Sequence, residues 1–337
     1  MSTNVNAMGN KLLPTRLRVA RQIMGYSLEK LASLVKMRVT KQSLSRYEAG
    51  IMKPKKELLE AIAGALGVSP PYFEGLNVKL DNAMLRTSSG GKLSDTDVEN
   101  IEAALSYRIE KYINKSELSK KSLSFYNPLS DRIIDNFYDI FEAADQLRAV
   151  WKCGDGAIPS IIRLLERKGV LVFEAKLPDG VMGLSTWANG KYPVIVIDVR
   201  TEKTTVERLR FTVTHELAHL LLRFVDGMNV EKGCDKFAGF FLLPAGTFKE
   251  EVGDKREELY LDELIDLREA YGVSVAALVH QALDLDVITR KHYDWWYNEM
   301  IGRNVRETGW GQYCFPEVLS KEKRMDIIIN NIKHKQS

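Results

Sequence analysis

Cysteine is scarce in this chain, and what there is stands apart. Cys153, Cys234 and Cys314 are the three among 337 residues, odd in number and without paired spacing. That argues against a disulfide scaffold or a zinc ribbon and suits a reducing cytoplasm, which is the expected location. Long apolar runs are missing too: none reaches the roughly 18 residues of a membrane span, so no membrane partner is expected. The opening MSTNVNAMGNKLLPTRLR has no apolar h-region, and no secretory signal is read there. No period of about 20–50 residues repeats, which excludes solenoids and propellers. Histidine is also rare, with five in the whole chain.

The remaining material is ordinary and globular. A chain of 337 residues suggests about two domains. With 45% apolar and 28% charged residues, each can bury its own core. Charge, however, is unevenly spread. Residues 1–80 hold 13 Lys or Arg against 5 Asp or Glu, a balance of +8, so the total of +3 leaves −5 for the rest. A basic first part on an acidic body points to nucleic acid as the partner of the N-terminus.

That first part reads as short helices separated by glycine. Leu17, Ala20, Ile23 and Met24 share a face in Arg16–Met24, and Gly25 ends the run. Ser27 caps SLEKLASLV, Thr40 caps KQSLSRYEAG up to Gly50, and Lys56–Leu66 forms a fourth helix before Pro70 and Pro71. The tight turn between the second and third is the helix-turn-helix pattern. LRVARQIMGYSLEKLA, QSLSRYEAGIMKPKKELLEAIAGALGVSP and the closing YF resemble the Cro/C1-type (XRE) DNA-binding domains. The third helix would then enter the major groove of a double-stranded DNA operator. Thr40, Lys41, Gln42, Ser43 and Arg46 stand on its exposed N-terminal side, and Gln42 is the best base reader because Gln can bond adenine N6 and N7 together. Lys36, Arg38, Lys53, Lys55 and Lys56 are phosphate candidates, whereas Leu44 and Tyr47 belong to the core.

Residues 76–130 say least. TSSGGKLSD reads as a joint, and DVENIEAALSYRIEKYINKSEL as an amphipathic helix with Ile101, Ala104, Leu105, Ile109, Tyr112 and Ile113 as its stripe. The stripe packs either on its own domain or on a twin helix, and the second alternative would make a homodimer.

The chemistry is concentrated in RLRFTVTHELAHLLLRF. No Gly or Pro interrupts this apolar helical stretch, and it holds two of the five histidines. Residues four apart share a helix face, so His215 and His219 can aim two imidazoles at one point. Zn²⁺ takes neutral nitrogen ligands at about 2.0–2.1 Å, and this spacing supplies two. Glu216, directly after the first, is placed to take a proton from water activated by the metal. Downstream, NVEKGCDKFAGFFLLP sets Glu231 and Asp235 four apart, with Pro244 as a stop. Glu231 is the favoured third ligand, with Asp226, Cys234 and Asp235 as alternatives; Asp235 would otherwise hold the outer N–H of a ligating imidazole.

MGLSTWANGKYPVIVID, FTVTHELAHLLL and E-x-x-x-D-x-F-A with LLP resemble the ImmA/IrrE family of gluzincin-like metallopeptidases. IPSIIRLLERKGVLV before them and YGVSVAALVHQALDLDVI after them extend the likeness over roughly Asp131 to Ile288. The resemblance implies metal ligands at His215, His219 and Glu231 and a general base at Glu216. It also implies a protein substrate, another transcriptional repressor. Gly233 and Cys234 replace the usual acidic-Ala pair, and Gln281 stands where an arginine is common. Zn²⁺ is the expected metal, with Mn²⁺ as the alternative, since cellular supply rather than ligand type separates them.

RIIDNFYDIFEAADQLRAVW and Gly156–Lys168 read as helices, and VLVFEA and PVIVID as strands. PVIVID would serve either as the edge strand that aligns an extended substrate or as a core strand. His280 is expected in the core, and His280, His292 and Tyr192 are candidates for an oxyanion donor. The expected fold is α+β and mostly helical. An all-α five-helix helix-turn-helix domain spans 1–76 and a linker with its helix 77–130. A zincin-like α+β domain with a small sheet spans 131–296, and an unassigned tail 297–337. The function expected is a regulator with a peptidase domain. The alternative is a repressor or antitoxin-like protein whose zincin-like domain senses or docks without turnover.

Overall fold

The computed structural model describes residues 5–68, 70–73, 78, 80–84, 105–113, 124–177, 180–198 and 204–324. The chain divides into two compact units, Met1–Asp81 with Leu93–Leu123, and Asn82–Lys92 with Ser124–Ser337.

In the first unit, α1 (Val5–Ile23), α2 (Leu28–Leu34), α3 (Lys41–Glu48) and α4 (Lys56–Ala65) lead into a 3₁₀ turn, Pro70–Phe73. Local chemistry sets these boundaries. Gly25 takes a positive φ of 65° after α1, the Ser27 hydroxyl accepts the N–H of Lys30, and Thr40 accepts that of Ser43. Leu17, Leu31, Leu44, Ile62 and Phe73 form the core, and Tyr47 joins them as expected. A further helix, α5 (105–113), belongs to this unit. Its Glu110 pairs with buried Arg16 at 3.0 Å, and its Tyr107 ring meets that of Tyr72 edge-on at 4.5 Å. Leu105, Ile109 and Ile113 are buried, so these stripe residues are packed rather than displayed. Ile101, Ala104 and TSSGGKLSD lie outside the described residues.

The second unit is built on a small sheet. β2 (Leu171–Ala175), β3 (Gly183–Ala188) and β4 (Tyr192–Asp198) combine with β1 (Leu80–Met84) in the order β1-β3-β4-β2. β4 runs parallel to β2 and antiparallel to β3, and all seven of its residues are buried. PVIVID is therefore the core strand of the two alternatives, not the edge. β3 carries little strand signal of its own, because GLSTWA has few β-branched residues. The signal for it lay in the next two residues. Asn189 and Gly190 both adopt positive φ (55° and 63°), the turn that joins antiparallel strands.

Helices cover this sheet. α6 (Phe137–Trp151) starts later than its sequence suggests, because the Asn136 side chain accepts the N–H groups of Tyr138 and Asp139. Ile134, expected within that helix, instead forms a parallel bridge with Phe224. α7 (Ile161–Arg167) begins only after Pro159 and the capping Ser160, not at Gly156. α8 (Val206–Leu221) packs on β3 and β4, and α9 (Val230–Leu242) packs on α8 and α6. α10 (Ala245–Val252), α11 (Leu261–Tyr271), α12 (Val275–Asp284) and α13 (Arg290–Trp295) complete the shell, with a π-helical turn at Trp296–Ile301. Among the described residues no helix is long and apolar enough to cross a membrane.

The segment beyond 297, which sequence left unassigned, is fastened into this unit by carboxylates. Glu317 accepts Arg210 Nη1–H (2.7 Å) and the N–H groups of Ile161 and Ile162, so it also caps α7. Glu307 accepts Arg268 Nη1–H (2.5 Å) and the N–H groups of Val275 and Ala276 at the start of α12. In return Glu207, in the first turn of α8, accepts the Tyr313 N–H at 2.7 Å and Arg268 Nε–H at 3.2 Å. Arg210 and Arg268 are buried, which such charges tolerate only when paired.

Candidate metal centre and nucleic-acid interface

α8 forms because Thr205 caps it, accepting the Arg208 N–H, and because an apolar face of Val213, Leu217, Ala218, Leu220 and Leu221 anchors it. That anchoring turns His215 and His219 to the facing helix, with their Nε2 atoms 3.1 Å apart. α9 supplies the other side. Asn229 caps it, accepting the Lys232 N–H, and Glu231 in the first turn reaches both rings. Its Oε2 lies 3.4 Å from His215 Nε2 and its Oε1 3.6 Å from His219 Nε2. Among the described residues these three are the one group able to hold a metal ion.

Whether a metal suits these residues can be tested on distances alone. Ligand bonds of about 2.0–2.1 Å in tetrahedral geometry place the ligand atoms about 3.3 Å apart. The two Nε2 atoms are 3.1 Å apart and each has a different Glu231 oxygen at 3.4 or 3.6 Å, and one ligand atom from each of the three residues lies within 4.8 Å of the others, close to what one ion needs. The donor set, two imidazoles and a carboxylate, is one that Zn²⁺ accepts.

The outer nitrogens are also engaged. Asp235 Oδ1 stands 2.8 Å from His215 Nδ1, and Cys234 Sγ 3.5 Å from His219 Nδ1. Burial disfavours a charged His215. Hydrogen bonds to Asp235 and Glu231, with the charges of Asp235 and Glu216, outweigh it and push the pKa up to about 9. The cluster thus attracts positive charge to this point.

Glu216 is buried beside the cluster, and Gly183 at the start of β3 comes up against it. Asp226, an alternative third ligand, does not join the group that holds His215, His219 and Glu231, and Cys234 approaches the outer nitrogen instead.

The other singled-out residues have structural partners. His280 is at the surface rather than in the core, with the Tyr293 hydroxyl 3.0 Å from its Nε2. His292 Nε2 accepts the Leu259 N–H and the Trp296 Nε1–H, both at 3.0 Å, so this nitrogen is engaged as an acceptor in the packing of α13. Gln281 is buried and donates to the Leu243 carbonyl at 2.7 Å. Gly233 is explained by packing: a Cβ there would stand 2.4 Å from Phe224 Cε1.

In the first unit, Gln42, Arg46 and Lys53 are exposed, as are Lys36, Arg38, Lys55 and Lys56. Ser43 is partly covered, and Thr40 is occupied as the cap of α3. Lys41 is less free than its position implies, because its Nζ pairs with Glu29 on α2. The carboxyl of Glu29 is held below its ordinary range by that hydrogen bond.

Residues 17–73 match a family model described as helix-turn-helix. Residues 165–283, which contain His215, Glu216, His219, Glu231 and Asp235, match a peptidase-family model described as IrrE N-terminal-like domain. A search of curated proteins finds none that matches. Two separate stretches of the chain are therefore similar to two different families, XRE-type helix-turn-helix proteins at 17–73 and ImmA/IrrE-like peptidases at 165–283.

Proposed function

We propose that this chain is a DNA-binding transcriptional regulator whose second unit is a metal-dependent endopeptidase acting on a partner repressor. The observation that carries the reading is the triangle of His215, His219 and Glu231, whose spacing suits one divalent cation. Zn²⁺ is the proposed ion, with Mn²⁺ as the alternative. Held there, such a cation supplies a Lewis acid for a scissile carbonyl and lowers the pKa of water.

The chain's own groups do the rest. Asp235 takes the Nδ1–H of His215 and so fixes the tautomer that turns Nε2 inward. Glu216 acts as the general base, taking the proton of the attacking water and passing it to the departing amine. In the first unit, Gln42 reads a base edge of the operator. Lys41, Ser43 and Arg46 contact the duplex around it, Thr40 sets the start of that helix, and Lys53 neutralises phosphate.

The test sets Glu216→Gln beside the wild type. Glutamine preserves size and helix propensity but cannot take the proton, and a positioned base is worth about 10²–10⁴-fold in rate. A cellular reporter and a blot for the partner repressor should show relief of repression and a fragment with wild type alone. DNA binding and bound metal should be equal in both. If neither protein yields a fragment and the reporter responds alike, the peptidase reading fails. A metal-bearing repressor or antitoxin-like protein, sensing or docking without turnover, is then left.

A further inference from the structure

α9 makes three contributions to the cluster from one face. Glu231 faces both Nε2 atoms, and Cys234 and Asp235, three and four residues on, face the two Nδ1 atoms. The two imidazoles are therefore held from behind by different chemistry, a carboxylate for His215 and a thiol for His219. Cys234 is fully buried, at 0% exposure, so its sulfur is fixed in place. Its neighbour Gly233 lets the helix sit close, since the Phe224 ring fills the space a side chain would need.

A neutral imidazole with Nε2 turned to a cation must carry its proton on Nδ1. For His219 the Nδ1 proton then points to the Cys234 sulfur, a weak acceptor. We propose that Cys234 is a positioning residue for His219: it accepts the Nδ1–H, holds the ring with Nε2 inward, and stays outside the metal's coordination shell. This rests on the metal reading of the cluster. It gives a role to a residue that sequence offered only as a rival ligand.

The test uses the full chain as purified protein, loaded with Co²⁺ or Zn²⁺ and titrated against a competing chelator. Outer-sphere partners of metal-bound histidines typically contribute about 10–100-fold in affinity. Cys234→Ala, which removes the acceptor, is expected to bind metal about ten-fold more weakly, the low end of that range because sulfur accepts weakly. Cys234→Ser, which keeps an acceptor, should recover most of that loss. A packing role would order the two the other way, because serine is the worse fit in an apolar site. Co²⁺ spectra should show no sulfur-to-cobalt charge-transfer band in wild type. A band that disappears in Cys234→Ala would make the residue a ligand and overturn the proposal, as would unchanged affinity in Cys234→Ala. If wild type and His219→Ala alike bind no metal, the metal reading itself falls and the proposal with it. Melting curves of each variant separate lost affinity from lost fold.

Discussion

Gly183 and Glu216 are in contact across the boundary between β3 and α8. A β-carbon at 183 would stand 3.1 Å from Glu216 Cγ, 3.3 Å from its Oε1 and 2.8 Å from Thr212 Cγ2. A side chain at 183 would therefore crowd the carboxylate by a few tenths of an ångström and press harder on Thr212. Gly183→Ala should push Glu216 aside while leaving the three-residue cluster intact. Overpacking of this kind costs about 1–3 kcal/mol. Repressor cleavage should fall well beyond what the small change in melting temperature explains, with metal content unchanged. Normal cleavage would show that Glu216 has room to spare.

Asp235 offers a second check, on binding rather than catalysis. Asp235→Ala removes the partner 2.8 Å from His215 Nδ1 and the charge that favours a cation nearby. Metal affinity should fall about 10–100-fold, measured by chelator competition. His215→Ala or His219→Ala should abolish stoichiometric metal outright, as elemental analysis would reveal.

On the DNA side, the pairing of Lys41 with Glu29 predicts a gain. Glu29→Gln frees the lysine, so affinity for duplex should rise and the salt slope should steepen by about 0.9 in log–log terms. Gln42→Ala should relax sequence preference, and Lys53→Ala should weaken all sequences alike. Band-shift titrations at several salt concentrations decide each case.

His292 makes stability depend on pH. Burial lowers its pKa below the ordinary 6.5, against a smaller opposing effect of Glu258, and its Nε2 accepts two N–H groups. The neutral ring is thus the folded form, and the unfolded chain binds the proton more readily. Its contribution is complete above the unfolded pKa and is lost as pH falls through the folded one. Melting temperature should therefore drop as pH falls below the ordinary histidine value of 6.5, and less so in His292→Gln, which accepts without titrating.

What could be read from sequence was whatever lies within one helix. His215 and His219 four apart, and Glu231 with Asp235 four apart, are local statements that helical geometry turns into shared faces. The caps Ser27 and Thr40 were legible for the same reason. Contacts between distant segments were not. Nothing around Gly183 announces that Glu216, over thirty positions on, leans against it. Whether Cys234 meets the inner or the outer nitrogen of His219 depends on how two helices are rotated, which spacing along one of them does not specify. Arg210, Arg268, Glu307 and Glu317 each look like solvated charges, and only long-range pairing reveals them as interior groups.

Those ion pairs separate the stretch that carries family likeness from the stretch that folds. A fragment ending near residue 283, where the match to the IrrE N-terminal-like domain stops, would keep Arg210 and Arg268 but discard Glu317 and Glu307. Arg210 would keep only carbonyl partners and lose its one carboxylate, a loss of about 3–5 kcal/mol, whereas Arg268 would still have Glu207. α7 and α12 would lose the carboxylates at their first turns. That one loss is already a large fraction of the stability of a typical domain. The tail is thus part of the folding unit although it lies outside the stretch that carries the likeness.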